Sequence, residues 1–224
     1  MEKKHGALIF GLIVSAAMAA ISLLAAPHIP AGAEVATHFD ISGKPDGWMS
    51  RPMALVFYPL LALGLTLVFA LARAIRFSGD PQHDGARRAL DISGMAAVTL
   101  IAAVQVLTLL HAQGKVTDIP GAVIPLAGLF LMVVGNLLGK TGRNTLVGVR
   151  TPWSLASPYA WEKSNRMAGR MMVALGLLVM LVSFGGFRAA ATWLLLGGAL
   201  LLAILSSALS WHYWRTDPAR NPSN

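Results

Sequence analysis

Five titratable side chains crowd one short stretch near the start of the chain: His28, Glu34, His38, Asp40 and Asp46. Imidazoles and carboxylates ligate divalent metals and exchange protons as general acids and bases. Their spacing forms no recognised ligand motif, and His38 and Asp46 are the weak candidates for a metal. The same stretch holds Gly43, Pro45, Gly47 and Trp48, and Gly43-Lys44-Pro45-Asp46-Gly47 reads as consecutive turns, with proline fixing φ and glycine accepting positive φ. Three readings stay open. In the first, Asp46 and Gly47 shape a turn, Trp48 anchors at an interface and His38 satisfies loop backbone groups. In the second, the loop is a recognition surface for an extracellular peptide or lipid. In the third, it is a metal or hydrolytic site.

A second polar cluster has the opposite character. Lys140, Arg143, Arg150, Lys163, Arg166 and Arg170 surround a single acid, Glu162. One reading is a patch that binds anionic lipid and sets topology. The other is that Arg150, held between Gly148 and Pro152, presents its planar fork to a phosphate or to a partner's carboxylate. Thr151-Pro152-Trp153 is a helix-start pattern, with threonine as cap and proline in the first turn. It predicts a short interfacial helix in which Trp161, Asn165 and Gly169 share one face. Just upstream, Gly135 and Gly139 form a small-xxx-small pair around Asn136, which is expected to hydrogen-bond across a helix interface.

The elements that must carry these clusters are apolar. Of 224 residues, 55% are hydrophobic and 12% charged, and the mean hydropathy is +0.62. Six near-uncharged blocks stand out: Ala7–Ala26, Met53–Ala72, Ile92–Leu110, Pro120–Leu138, Met171–Gly186 and Ala189–Leu209. About 20 residues at 1.5 Å per residue cross a hydrocarbon core of roughly 30 Å, so the expected fold class is an all-α integral membrane protein with six transmembrane helices. The fifth is the shortest. No embedded Asp, Glu, Lys or Arg is evident, which counts against an ion-coupled pump; Gln105 and Ser183 are minor polar groups within the spans. The chain has no cysteine, which excludes disulfides, thiolate nucleophiles and zinc–thiolate sites. No cofactor is expected.

The formal charge of +8 would suit nucleic acid, but topology accounts for it. Of the 18 basic residues, only Lys44, Arg51, Lys115 and Arg188 fall on one side of a six-span arrangement, and the other fourteen fall opposite. The positive-inside rule then places both termini in the cytoplasm, with loop 27–52 outside and loop 139–170 inside. No direct nucleic acid binding is expected. Glu2-Lys3-Lys4, the apolar run and Ala31-Gly32-Ala33 also look somewhat like a secretory signal, but the run is long enough to span. Loop 73–91 contains a Ser78-Gly79-Asp80-Pro81 turn and a basic Arg87-Arg88 segment, and the polar tail 216–224 is expected to be disordered.

The second cluster also carries a resemblance. Gly135-Asn136, Asn144, Gly148-Val149-Arg150-Thr151-Pro152-Trp153-Ser154-Leu155, Trp161, Asn165-Arg166 and Gly169 resemble the G-N…N…G-[IV]-R-T-P-W-[TS]-L…W…[TS]-[NH]-R…G signature of the SdpI family of bacterial membrane proteins. Pro30, His38, Phe39, Gly43, Pro45, Asp46, Gly47 and Trp48 resemble the external loop of a domain of unknown function that often precedes it. The resemblance implies three parts: an N-terminal two-helix module (1–75), an SdpI-like four-helix domain (76–215) and the tail. It also implies immunity to, or sensing of, a secreted toxic peptide, with capture of a small soluble repressor at the membrane, as described for the founding member. Membrane lipids are the further expected partners. The partner-binding residues so expected are Asn136, Asn144, Arg150, Thr151, Pro152, Trp153, Trp161, Asn165 and Arg166. The external ones are His38, Asp40, Gly43, Pro45, Asp46, Gly47 and Trp48. A small transporter or flippase for an amphipathic or phosphate-bearing substrate, or a membrane-embedded metal-dependent hydrolase, is the alternative function.

Overall fold

A computed structural model describes residues 5–40, 42–76 and 84–220. The described elements, in order, are α1 (Gly6–Ala25), a 3-10 turn at Ala26–His28, β1 (Glu34–Phe39), β2 (Pro45–Ser50), α2 (Arg51–Arg76), α3 (Asp84–Ala112), α4 (Ile119–Leu138), α5 (Pro152–Ala156), α6 (Pro158–Phe184) and α7 (Arg188–Arg215). All of the α-helices but α5 are long and apolar enough to cross a membrane, which makes six spans among the described residues. Only 11% to 28% of each span's apolar window is buried within the protein. Apolar surface left outward on that scale belongs in lipid, where it carries no hydration cost. The chain is a multi-pass membrane protein.

The helices pack in two groups, α1 with α2 and α3, and α4 with α6 and α7; α3 and α4 join them. Met18, Tyr58, Ala62 and Val98 fill the centre of the first group. A polar node ties it together: Gln105 Nε2 donates to the Met18 carbonyl (2.9 Å) and to Ser22 Oγ (2.8 Å), and Ser22 Oγ donates to the Leu55 carbonyl (2.6 Å). Away from water such bonds have no solvent competitor, so one glutamine registers three helices.

Glycine sets the second group. A Cβ on Gly135 would lie 2.8 Å from the Gly169 carbonyl oxygen, and one on Gly169 would lie 2.4 Å from that of Gly135. Gly128 and Gly176 repeat the arrangement, at 2.7 and 2.3 Å. Both pairs are seven residues apart along α4 and α6, two turns of helix, so one stripe lets the backbones touch. Asn136, expected to bond across this interface, is instead exposed and accepts from Lys140 Nζ on its own helix (3.3 Å). It is the neighbour of an interfacial glycine, about 100° round the helix.

Other expectations change too. The all-α membrane class holds, and the structured loop 27–52 turns out to contain a small antiparallel hairpin that pairs Val35 with Met49 and Ala36 with Trp48. Asp46 and Gly47 lie in β2 and are no turn. The turn is Asp40–Gly43, where Asp40 Oδ1 accepts from Ser42 N (2.8 Å), Ser42 Oγ (2.7 Å) and Lys44 N (2.9 Å), and Gly43 has φ +86°. An aspartate two residues before the tip satisfies the turn's N–H groups better than one already committed to a strand. The hairpin's inner face seats Val35 among Ala25, Ile29, Ala54 and Leu109, and Phe39 packs edge-on against His111 (5.6 Å).

The fifth span is also longer than expected, because α6 begins thirteen residues before Met171, with its charged residues confined to its first turns. Trp161, Asn165 and Gly169 belong to this helix and not to the short one, which is α5 alone. Ser157 breaks the two apart, its side chain capping α6 at Ala160 N (3.0 Å) before Pro158 in the first turn. Arg73 and Asp91 are not in a loop: they lie near the facing ends of α2 and α3 and form an ion pair at 2.9 Å. Arg87 and Arg88 lie in the first turns of α3, while the Ser78–Pro81 turn falls outside the described residues. The tail is ordered through Arg220: Asp217 is buried and Arg220 stacks on Trp214 at 3.6 Å.

Candidate functional site

Between α4 and α6 the chain has few apolar residues and must satisfy its backbone by other means. Asn144 does most of this. Its Nδ2 donates to the Gly142 and Val147 carbonyls (both 2.9 Å), and its Oδ1 accepts from Leu146 N (2.8 Å) and Val147 N (2.7 Å). A buried amide using both ends in this way fixes the loop around itself. Leu146 and Val147 are thereby turned onto Ala86 and Leu90 of α3.

The next turn is held from α6. Asn165 Oδ1 accepts from Val149 N (2.7 Å) and its Nδ2 donates to the Trp161 carbonyl (3.0 Å), while Trp161 Nε1 donates to the Thr141 carbonyl (2.9 Å). Gly148 adopts φ +126°, and a Cβ there would lie 2.4 Å from Asn165 Oδ1. Only glycine fits that backbone and that gap. Thr151 caps α5 as the sequence pattern suggested, in a reciprocal box with Ser154 (3.1 and 3.0 Å). Thr151 Oγ1 also meets Ser210 Oγ of α7 at 2.6 Å, and Ser157 Oγ donates to Asp217 Oδ2 at 2.5 Å.

The signature residues therefore divide. Asn144, Trp161 and Asn165 are buried, Thr151 is partly so, and their bonds build the loop. Arg150, Pro152 and Arg166 are exposed, and Trp153 is half-buried. Arg150 Nη1 donates to the Thr145 carbonyl (2.5 Å), its one bond among the described residues, so most of its five N–H donors remain available. Arg166 pairs with Glu162 one turn away (2.5 Å). Asn136 stands apart, on α4. Ser154, Ser157, Ser210 and Asp217 complete the structure and were not singled out; the Ser157-Pro158 pair was the available signal for a helix cap.

At the opposite end of the bundle, His38 bonds Asp46 across the hairpin, Nδ1 to Oδ1 at 2.5 Å, and satisfies no loop backbone. Asp46 and Trp48, two residues apart, share a face of β2, and Trp48 is 53% exposed. Gly47 lies so close that a Cβ would come within 2.9 Å of His38 Cβ. Asp40 has its carboxyl held below the ordinary carboxylate value by the Ser42 hydroxyl and the Lys44 and Ser42 amides. Among the described residues no three His, Asp or Glu side chains gather to hold a metal ion. Asp118 caps α4 at Gly121 N (3.0 Å) and pairs with Arg188 of α7 (2.8 Å) at this same end.

Residues 140–210, which contain this loop, α6 and most of α7, match the SdpI/YfhL protein family, and residues 13–63 match a domain of unknown function, DUF1648. The chain is 29% identical over 173 residues to the immunity protein SdpI of Bacillus subtilis (strain 168), covering 77% of this chain and 80% of that one. Over residues 140–210 the chain is therefore similar to the SdpI/YfhL protein family. The DUF1648 match takes in the hairpin and half of α2, so both polar ends of the bundle fall within recognised regions. No solved structure matches the chain significantly.

Proposed function

We propose that this SdpI/YfhL-like protein confers immunity to a secreted toxic peptide, with the hairpin as its external receiving surface and the Arg150 loop as a cytoplasmic docking point for a small soluble repressor. The observation that carries the reading is the similarity to the immunity protein SdpI over 77% of this chain. Orientation follows from the fourteen basic residues on the terminal side, against four beside the hairpin. The exposed His38–Asp46 pair and Trp48 offer a peptide both polar and aromatic contacts.

The same fold supplies a route between the two ends. Leu109 of α3 belongs to the cluster under the hairpin, while Ala86 and Leu90 of the same helix carry Leu146 and Val147 of the Arg150 loop. At 29 residues, α3 is roughly 44 Å long and rigid. A peptide that shifts the hairpin against Leu109 biases the loop through one helix, and by linkage the docked repressor strengthens peptide binding equally.

The test is deletion of the gene in its own host, followed by challenge with the peptide fraction secreted by sibling cells. Deletion should sensitise the cells, and the intact chain should restore survival. Equal survival of deleted and parent cells across the full range of that fraction would remove the immunity reading.

A further inference from the structure

Outside both polar ends, the wide groove where α3 meets α4 is unassigned. The two helices touch at the terminal side, where a Cβ on Gly85 would lie 2.6 Å from the Lys140 carbonyl oxygen. Beyond that contact they separate around a cavity of about 770 Å³. Ile92, Leu129, Met132, Val133 and Val173 line it, and Arg88, Asn136 and Lys140 stand at its polar end. Arg88 is exposed and has no carboxylate partner among the described residues, and Lys140 reaches only Asn136. A second groove, adjoining the first, shares Asn136, Lys140 and Val173 and adds Arg166 and Arg170.

We propose that this groove is a specific binding site for one anionic phospholipid, with its phosphate between Arg88 and Lys140 and one acyl chain lying along α4 between the two helix groups. Charge complementarity fixes the head. Two cations without carboxylate partners among the described residues attract a phosphate at headgroup depth, and the guanidinium of Arg88 adds a geometric match. Length fixes the tail. From Leu138, the last residue of α4, down to Leu129 is nine residues of helix, roughly 14 Å, about half of a roughly 30 Å hydrocarbon core. The groove thus matches one leaflet, with cations at its head and only apolar side chains below Asn136. A protein partner would leave the deep apolar floor unmatched. A free phosphate would leave it empty.

The site also has a structural consequence. α3 and α4 are the helices through which the two groups join, so an acyl chain there fills a seam that protein side chains leave open.

The test is native mass spectrometry of the full chain in non-ionic detergent, titrated with phosphatidylglycerol, with phosphatidylcholine as the neutral comparison and inorganic phosphate as competitor. One phosphatidylglycerol should be retained at least about tenfold better than phosphatidylcholine. Val133→Trp, which fills the groove and leaves every charge in place, should remove that preference, as should Arg88→Gln with Lys140→Gln, whereas Lys163→Gln should not. Leu129→Trp probes the same floor should Val133→Trp fail to fold. Loss that follows charge number alone, with the tryptophan variants behaving as wild type, would mean dispersed attraction to the membrane and overturn the site. Displacement of the lipid by millimolar phosphate would overturn it in favour of a free-anion site, and equal retention of phosphatidylcholine would overturn the headgroup assignment.

Discussion

Asn165, two turns into α6, accepts the backbone N–H of Val149 at 2.7 Å, sixteen residues back along the chain. The bond crosses the Gly148 gap and fixes the residue immediately before Arg150. Asn165→Ala leaves a part-buried N–H without its partner, at a cost of about 1 kcal/mol. The expected outcome is earlier thermal unfolding in detergent together with faster trypsin cleavage at Arg150. Unchanged cleavage at Arg150 would show that the loop is held by other means.

The Gly135–Gly169 contact makes its own prediction. Gly169→Ala drives a methyl group against the Gly135 carbonyl and should destabilise the α4–α6 pair by about 1–3 kcal/mol. Gly197→Ala on α7, where a Cβ meets nothing within 4 Å, should be neutral or slightly stabilising. Unfolding in mixed micelles distinguishes them, and equal effects from both would refute backbone contact as the cause.

Arg150 separates charge from geometry. Under the proposed function, Arg150→Lys keeps the charge but loses the bidentate fork, and it should impair protection nearly as much as Arg150→Ala at unchanged abundance. Lys163→Ala, at an exposed residue beside Tyr159, should have little effect. If Arg150→Lys protects like the parent, the loop is an electrostatic anchor.

Orientation is checked by labelling. Because the chain has no cysteine, a single cysteine at Ser42 should react with an impermeant maleimide in intact cells, and one at Lys163 only after permeabilisation. The reverse pattern would invert the topology.

The hairpin tip should respond to acid. Asp40 is held below its ordinary value of 3.8 by the Ser42 hydroxyl and the neighbouring amides. A lowered folded pKa means that its contribution to the tip is fully present above the ordinary value and is lost as pH falls through the lowered one. The amide signals of Ser42 and Lys44 should therefore keep their folded positions at the ordinary carboxylate value of 3.8 and shift toward unstructured ones only at lower pH. Asp40→Asn should abolish that dependence; a shift surviving in Asp40→Asn would assign it to another group.

The sequence by itself determined the membrane class, the six spans and the family signature, because hydropathy is a local quantity summed over one apolar run and a motif is a local string. Local signals also located the Thr151 cap, since a capping box closes within four residues. Tertiary structure decided what each polar residue does. The bonds that matter join Val149 to Asn165, Thr141 to Trp161, Thr151 to Ser210 and Ser157 to Asp217, over separations of 16, 20, 59 and 60 residues. No spacing rule reaches that far. For the same reason the part that Asn144 and Asn165 play in holding the loop, and the outward position of Arg150 between them, came only from the structure. In the hairpin, Pro45-Asp46-Gly47 reads as a turn by composition, yet pairing with β1 and the seat on α3 claim those residues for a strand. Turn propensity is worth about as much as one hydrogen bond, and strand pairing supplies several at once.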